Sequence, residues 1–422
     1  MGSVSTHDSA DRFSDYLDAL ASVIGHAARV TPMRDYCRGL LLPCERKSVE
    51  PMAAVTAPAR VGAQHQALLH FVAQGSWSDV AVLAKVRENV LPKIERHGAI
   101  RAWIIDDTSF PKHGLHSVGV SHQYCGYLGK QENCQVAVSL SVANHHASLP
   151  VAYQLYLPKG WAEDKTRRKK AGVPGAITFQ TKPKIALDQL AWACAAGLPR
   201  GVVLMDSAYG VDAALRRGAR DLGLDYAAAV QARTLVEPVK DRLEERREGK
   251  PKSQPGKMTA AAIALGLPKR AWQTITWREG TAEFLRSRFA RVRVNARGEG
   301  CRPDEPEEWL LIEWPKGDAA PTKFWLATLP ENIAFDALVD ITMMRWRIER
   351  DYHDLKQEVG LGHFEGRGWR GFHHHATMCI AAYGFLISER GAFPPSQTRR
   401  DICLSQPAVS ESYKPRGAAA AP

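Results

Sequence analysis

The stretch Ala102-Trp-Ile-Ile-Asp106-Asp107-Thr-Ser109 joins an apolar run to a pair of carboxylates. A second stretch, Gly201-Val-Val-Leu-Met-Asp206-Ser-Ala-Tyr-Gly210, repeats this pattern. Each pattern predicts a buried β-strand that ends at an acidic residue. Open α/β sheets place their functional groups at such strand ends, so the sequence predicts a site that contains both acids. Either aspartate alone could instead be a helix N-cap or the first residue of an Asx-turn.

A third acidic residue lies in the stretch Arg345-Trp-Arg-Ile-Glu349-Arg-Asp-Tyr-His-Asp-Leu-Lys356. At about 100° per residue, Arg345, Glu349 and Lys356 fall within roughly 40° of one another on a helix. An apolar stripe adjoins them and consists of Ile341, Ile348, Leu355 and Val359. A carboxylate between two cations suits a metal site that faces phosphate. The alternative is a surface helix with an i,i+4 pair of Arg345 and Glu349.

Composition is compatible with an enzyme that acts on a polyanion. The chain has 422 residues, of which 45% are hydrophobic, enough for a sizeable core in two or three domains. Lys and Arg number 56 against 45 Asp and Glu, which gives a net charge of +11. This excess predicts a partner such as nucleic acid.

The sequence also indicates where the protein works. The eight cysteines show no Cys-x-x-Cys spacing, which is typical of reduced cysteines in a cytosolic protein. The N-terminus has neither a basic nor an apolar signal region, and no apolar run approaches the roughly 18 residues of a membrane span. We therefore expect a cytoplasmic protein with no membrane partner.

Hydrophobic periodicity divides the chain into segments. Residues 1–98 predict a helical N-terminal domain, for which DNA binding and plain helical packing are both open. Residues 99–231 predict a mixed sheet with flanking helices, 232–332 a β-rich insertion, 333–392 a return to the α/β fold and 393–422 a disordered tail. Strands are predicted at 102–106, 134–142, 149–157, 201–206, 225–230, 272–277, 285–294, 308–314 and 323–328. Helices are predicted at 183–196, 211–222, 335–359 and 373–388, and an exposed loop at 240–258.

These motifs together resemble a DDE transposase of the bacterial insertion-sequence type, whose catalytic core is ribonuclease-H-like. The resemblance covers most of residues 35–390. Besides the three acidic stretches, it includes the segments Lys112-His-Gly-Leu-His-Ser-Val-Gly119-Val, Gln123-Tyr-Cys-Gly-Tyr-Leu-Gly-Lys-Gln-Glu-Asn-Cys-Gln135 and Leu155-Tyr-Leu-Pro-Lys-Gly-Trp161. The family also places a β-rich insertion between its second Asp and its Glu.

The resemblance implies roles for five residues. Asp106, Asp206 and Glu349 would be the catalytic acids and would bind two Mg²⁺ ions, or Mn²⁺, through hard oxygen ligands. Arg345 and Lys356 would bind DNA, since they match a Tyr-Arg-Glu-Lys signature found in one branch of the family. The tyrosine of that signature falls on Thr342. Asp107 is the alternative first acid, and the resemblance favours Asp106.

The function implied is metal-dependent cleavage at the terminal inverted repeats of a mobile element and strand transfer into target DNA. Two ends must be brought together, so a homodimer on double-stranded DNA is expected, associated with the bacterial nucleoid. One alternative is a ribonuclease-H-like nuclease that cuts without joining. The other is a catalytically inactive DNA-binding protein derived from a transposase.

Three smaller features have two interpretations each. The run Lys165-Thr-Arg-Arg-Lys-Lys170 is either a loop that follows phosphates or a solvated run of charges. Four tryptophans of the insertion either stack on unpaired bases or pack in its core, and packing is favoured. They are Trp272, Trp277, Trp309 and Trp314. Residues His373-His-His375 predict the surface start of a helix rather than a metal site, because neighbours point to different faces.

Overall fold

The computed structural model describes residues 9–239, 256–279, 284–298, 300–302 and 304–392. The predicted tail at 393–422 and most of the predicted loop at 240–258 lie outside the described residues. Twelve strands of the described residues form one mixed sheet, which is flanked by helices. The predicted α/β fold class with a ribonuclease-H-like mixed sheet is thereby confirmed.

Residues 9–95 form the helices that the apolar periodicity predicts. Their bounds are α1 Ser9–Ala21, α2 Val30–Leu41, α3 Val49–Thr56, α4 Val61–Ala73 and α5 Asp79–Glu95. Their apolar faces are buried, as at Leu17, Leu68 and Val86. Helices α2, α4 and α5 pack against α14, Trp369–Ala392, so the two ends of the described chain share one core.

The sheet begins with strands of the first α/β segment. They are β1 Ala102–Pro111, β2 Ser121–Cys125, β3 Lys130–Ala143, β4 Ser148–Leu155, β5 Val202–Met205 and β6 Tyr226–Val230. In the order β2-β3-β1-β5-β6, β1, β5 and β6 run parallel, whereas β3 is antiparallel to β1. The predicted end of the first strand at Asp106 is wrong. Pairing with β3 continues as far as Pro111 and Cys134, which keeps β1 extended.

The helices between these strands cover the sheet. Their bounds are α6 Lys159–Glu163, α7 Lys165–Ala171, α8 Lys182–Ala195, α9 Ser207–Gly210 and α10 Ala213–Asp221. The basic run at 165–170 is helical and not a loop, because the side chain of Asp164 caps α7 by accepting a hydrogen bond from the Arg167 amide. The Arg167 guanidinium also lies over the ring of Trp161, at 3.8 Å from its centroid.

The predicted insertion extends the same sheet. Its elements are β7 Leu235–Pro238, β8 Met258–Thr259, α11 Ala260–Gly266, β9 Gln273–Glu279, β10 Phe284–Ala296, β11 Glu308–Trp314 and β12 Lys323–Ala327. Strand β12 pairs antiparallel with β6, and β11, β10, β7 and β8 follow in order. Trp309 is buried, and the Trp272 and Trp314 rings meet edge to face at 5.2 Å. The boundaries proposed for separate domains remain predictions.

The C-terminal helices differ from the prediction in two respects. Residues 335–359 form two helices, α12 Phe335–Met343 and α13 Trp346–Gln357, with a turn at Met344 and Arg345. The surface position predicted for residues 373–375 is wrong, because α14 starts at Trp369 and all three histidines are buried. In the described part of the chain, none of the helices combines the length and apolarity needed to cross a membrane.

Candidate active site

Sheet register brings two of the predicted acids to the same level. Strands β1 and β5 are parallel neighbours, and Ile104 is paired with Leu204. Asp106 and Asp206 each follow this last pair by two residues, and both carboxylates lie near Nη2 of Arg345, at 3.0 Å and 3.9 Å. The carboxyl end of β5 is therefore the point at which the sheet presents both carboxylates.

The two carboxylate oxygens of Asp206 have different partners. Its Oδ1 accepts hydrogen bonds from the amides of Ala208 at 2.9 Å and Tyr209 at 3.1 Å, which caps α9. Its Oδ2 lies 3.9 Å from Nη2 of Arg345. The N-cap interpretation is therefore confirmed, and the second oxygen stays available near Arg345, so the site interpretation remains a prediction.

A glycine permits this turn to lie against the sheet. A Cβ atom added at Gly210 would lie 2.0 Å from the carbonyl oxygen of Ala229 on β6. Because that oxygen belongs to the backbone of a central strand, it cannot move aside cheaply. Gly210 thus sets how closely α9, and with it Asp206, approaches the sheet.

Arg345 contacts all three predicted acids. Its Nη2 lies 3.0 Å from Oδ2 of Asp106, and its Nη1 lies 3.5 Å from Oε1 of Glu349. With the contact to Asp206, the guanidinium joins residues from β1, the end of β5 and α13. The sequence predicted the ion pair of Arg345 with Glu349 but not its position among three carboxylates.

Burial differs strongly among these acids. The side chain of Asp106 is 15% exposed, whereas that of Glu349 is 71% exposed. Burial raises the pKa of Asp106 to about 7, the Arg345 guanidinium opposes this shift, and the nearby Asp206 and Asp107 add to it. A buried carboxylate with acidic neighbours requires a cation to stay ionised. A positive charge is therefore needed beside this cluster if all of its carboxylates are to be ionised.

Comparison with known proteins identifies the family. A family model described as DDE superfamily endonuclease matches residues 19–283, which is more than half of the chain. The chain belongs to the DDE superfamily endonucleases. A relative from Microchaete diplosiphon, described as a probable transposase for insertion sequence element IS701, is 28% identical over 201 residues. That alignment covers 47% of this chain and 48% of the relative, so the chain spans about half the length of the curated relative it matches.

In this DDE endonuclease, Asp106 and Asp107 have different surroundings. Asp107 accepts a hydrogen bond from Nζ of Lys182 at 2.8 Å and another from the hydroxyl of Tyr209 at 3.3 Å. Asp106 instead contacts Arg345. The alternation of side chains along β1 accounts for the difference. Asp106 therefore lies in the cluster around Arg345, whereas Asp107 pairs with Lys182, and the choice of Asp106 as first acid remains a prediction.

Lys356 lies further along the same helix, away from the acid cluster. Its Nζ donates to the carbonyl oxygen of Ser109 at 3.1 Å and lies 5.0 Å from the ring centroid of Tyr127. Burial lowers the pKa of Lys356 to about 8, although Cys125 and the two aspartates of β1 act in the opposite direction. The residues of the predicted stripe therefore lie in two places. Arg345 and Glu349 belong to the acid cluster, whereas Lys356 lies two helical turns beyond Glu349, about 10 Å along the helix axis.

A tyrosine that the sequence reasoning missed lies beneath the site. The hydroxyl of Tyr352 is hydrogen-bonded to the hydroxyl of Ser139, which is paired with Asp106 across β3 and β1. Tyr352 follows Glu349 by three residues, a spacing that could have indicated it. Thr342, at the position of the family's signature tyrosine, is 3% exposed and donates to the carbonyl oxygen of Leu338. Thr342 is therefore part of the core.

The carboxylate oxygens of Asp106, Asp206 and Glu349 are chemically suited to a hard divalent cation. Carboxylate oxygens are the ligands that Mg²⁺ and Mn²⁺ prefer. Among the residues that the structure describes, no group of three His, Cys, Asp or Glu side chains is arranged to hold a metal ion. Arg345 lies between the carboxylates instead. Its guanidinium supplies the positive charge that the acids require.

Proposed function

We propose that this DDE endonuclease is a DNA transposase that cleaves DNA at terminal inverted repeats and transfers the freed strand into target DNA. The observation that carries the proposal is the convergence of Asp106, Asp206 and Glu349 on Arg345. Three sequence segments that are far apart supply one cluster of acids, and structural stability alone does not require such an arrangement. The printed function of the relative, a probable transposase, supports the same proposal.

Asp106, Asp206 and Glu349 would hold two divalent metal ions, Mg²⁺ or Mn²⁺. Such ions supply a nucleophilic water or hydroxyl group and neutralise charge on the phosphate. The raised pKa of Asp106 supports this assignment, because a cation favours the ionised carboxylate that burial disfavours. Glu349, the most exposed acid of the three, has the greatest freedom to adjust to a ligand.

Arg345 and Lys356 would bind the phosphates of the DNA end. Arg345 has two terminal nitrogens that can engage a phosphate through a bidentate fork, and Lys356 offers a compact charge. Arg345 would neutralise the acids before the metal ions bind and then turn toward phosphate. The net charge of +11 supports binding of a polyanion along a wider surface.

The joining step requires two DNA ends in one complex, so we propose a homodimer on DNA. Because the proposed substrate is DNA, the protein would work in the bacterial cytoplasm, in association with the nucleoid. The helices at 9–95 would contribute DNA contacts.

A cleavage assay with matched variants tests the function. Purified protein is incubated with a labelled duplex that carries the element's end, in Mg²⁺ or in EDTA. Asp206→Asn keeps a good helix cap and removes one charge. Asp212→Asn makes the same change at the N-cap of α10, where Oδ1 accepts from the Leu215 amide at 2.8 Å.

We expect Mg²⁺-dependent nicking and joining by the unmodified protein and by Asp212→Asn. The cleavage rate of Asp206→Asn should be roughly 10²- to 10³-fold lower, which is the loss typical of removing one charge-stabilising group. Nicking without joined product would instead favour the nuclease. DNA binding without metal-dependent cleavage in every form would contradict the proposal and favour an inactive DNA-binding protein.

A further inference from the structure

A small cavity opens about 10 Å from the acid cluster, since Ser109 follows Asp106 by three residues along β1. Its volume is about 190 Å³, and it is lined in part by Phe110, Pro111, Tyr127, Lys356, Gly362 and His363. We call it the Tyr127 cavity. Its wall combines aromatic and aliphatic groups with the polar side chains of Ser109, Lys356, Gln357 and His363.

The tip of the β2–β3 hairpin holds Tyr127 in place. The amide of Tyr127 donates to Oγ of Ser109 at 3.0 Å, and the amides of Leu128 and Gly129 donate to the carbonyl oxygen of Cys125. Gly129 has a φ of +66°, which a side chain would disfavour. Beneath the tip, Cys125 packs with other buried side chains. The backbone that carries the Tyr127 ring is therefore held by hydrogen bonds.

The ring of Tyr127 is nevertheless exposed. Its side chain is 58% accessible, and that of the adjacent Leu128 is 42% accessible. An aromatic side chain that is open to solvent beside a cavity, on a backbone held by hydrogen bonds, is typical of a binding surface. Lys356 lies 5.0 Å from the ring, so one ligand could place an aromatic group on Tyr127 and an anionic group on Lys356.

We propose that the Tyr127 cavity binds one unpaired nucleotide of a DNA strand, with the base stacked on Tyr127 and a phosphate on Lys356. The volume of about 190 Å³ is smaller than the roughly 300–1,000 Å³ of clefts for drug-sized ligands, so it suits a single base better than a base pair. Every base offers a face for stacking, so the cavity requires no particular sequence. At the duplex spacing of about 3.4 Å per nucleotide, the cavity lies about three nucleotides from the acids.

This inference rests on the proposed function for the identity of the polymer, but its test requires no cleavage. The probe is a duplex with a short single-stranded 3′ overhang that contains 2-aminopurine, whose fluorescence falls on stacking. A blunt duplex of equal length is the second probe. Both are bound in EDTA, and affinities are measured by anisotropy.

The hairpin itself provides the matched control. Tyr124 is also 58% exposed, on β2 of the same hairpin, but does not line the Tyr127 cavity. We expect Tyr127→Ala to weaken binding of the overhang duplex about 5- to 100-fold and to abolish the quenching. Tyr124→Ala and Tyr127→Phe should behave like the unmodified protein, and affinity for the blunt duplex should stay within twofold in all forms.

Equal losses in Tyr124→Ala and Tyr127→Ala would overturn the inference, because they would indicate a general effect on the hairpin. Equal weakening of overhang and blunt duplexes would also overturn it, as would the absence of quenching with the unmodified protein. Stacking without any Mg²⁺-dependent cleavage would overturn the transposase proposal alone. Cleavage without stacking would overturn only the inference that the Tyr127 cavity binds a nucleotide.

Discussion

The Nη2 atom of Arg345 lies 3.0 Å from Oδ2 of Asp106, although 239 residues separate the two in sequence. This contact places a guanidinium at the carboxylate oxygens that a divalent cation would use. If the proposed function holds, the Arg345 guanidinium and a metal ion would compete for the same carboxylate ligands.

Replacing Arg345 should separate metal binding from DNA cleavage. Arg345→Gln removes the competing charge, so we expect Mn²⁺ to bind the DNA-free protein two- to fivefold more tightly, the value of a partly exposed ion pair. Cleavage should fall because a phosphate contact is lost. Isothermal titration with Mn²⁺ measures the first effect. Arg200→Gln is the control, since Arg200 donates to the carbonyls of Leu222 and Gly223. Unchanged or weaker Mn²⁺ binding would contradict competition.

The two adjacent aspartates of β1 should differ in activity. Asp106→Asn should lower cleavage roughly 10²- to 10³-fold. Asp107→Asn keeps the shape of the side chain and loses only the ion pair with Lys182, so cleavage should stay within about tenfold and stability should fall by less than about 1 kcal/mol. Single-turnover cleavage and urea unfolding measure both quantities. The reverse order of losses would make Asp107 the first acid.

Gly210 should tolerate no side chain. A methyl group there meets the Ala229 carbonyl oxygen, so Gly210→Ala should destabilise the protein by about 1–3 kcal/mol or more, as overpacking does. Gly62, within α4, has nothing within 4 Å of an added Cβ, and Gly62→Ala should be neutral or stabilising by up to about 1 kcal/mol. Urea unfolding measures both variants, and equal midpoints would rule out the close approach.

Acid should destabilise the protein through His375. Its Nδ1 lies 2.8 Å from the hydroxyl of Tyr36 and its Nε2 lies 3.0 Å from the carbonyl oxygen of Gly360, so the neutral ring satisfies both partners. Burial lowers the pKa of His375 to about 4. Between about pH 6.5 and 4 the unfolded chain binds a proton that the folded chain does not, so stability falls as pH falls.

From pH 7.5 to 5 this residue should account for about 2 kcal/mol of lost stability. Urea unfolding of the unmodified protein and of His375→Gln at both pH values measures the difference. The variant is less stable at neutral pH but should lose about 2 kcal/mol less on acidification. Parallel losses in the two proteins would exclude His375 as the source.

The sequence identified most elements of the fold because their periodicity is strong. The predicted helix at 183–196 and strand at 308–314 correspond closely to α8 and β11. Alternation and helical spacing depend on local burial, which sequence records directly. The break at Arg345 and the extension of β1 to Pro111 depend instead on packing against distant strands and helices. The local pattern of residues does not indicate those distant partners.

The same limit applies to the candidate site. Asp106, Asp206 and Glu349 could be selected from their contexts, but the position of Arg345 among them arises from tertiary contacts. The burial of His373, His374 and His375 was missed because a polar triplet predicts surface. Each ring faces a different element, including β4 through the Leu155 amide and the loop at Trp77. Polar groups inside a core require partners that only the folded chain supplies.

The packing of α14 among the N-terminal helices also bears on when the protein becomes active during synthesis. Helices α2, α4 and α5 leave the ribosome early but lack their partner until residues 369–392 emerge. Arg345 likewise follows Asp206 by 139 residues, so it is made much later than the two aspartates. If the proposed function holds, a chain whose synthesis stops before residue 345 lacks both the helix that completes the core and two members of the cluster that would cleave DNA, Arg345 and Glu349.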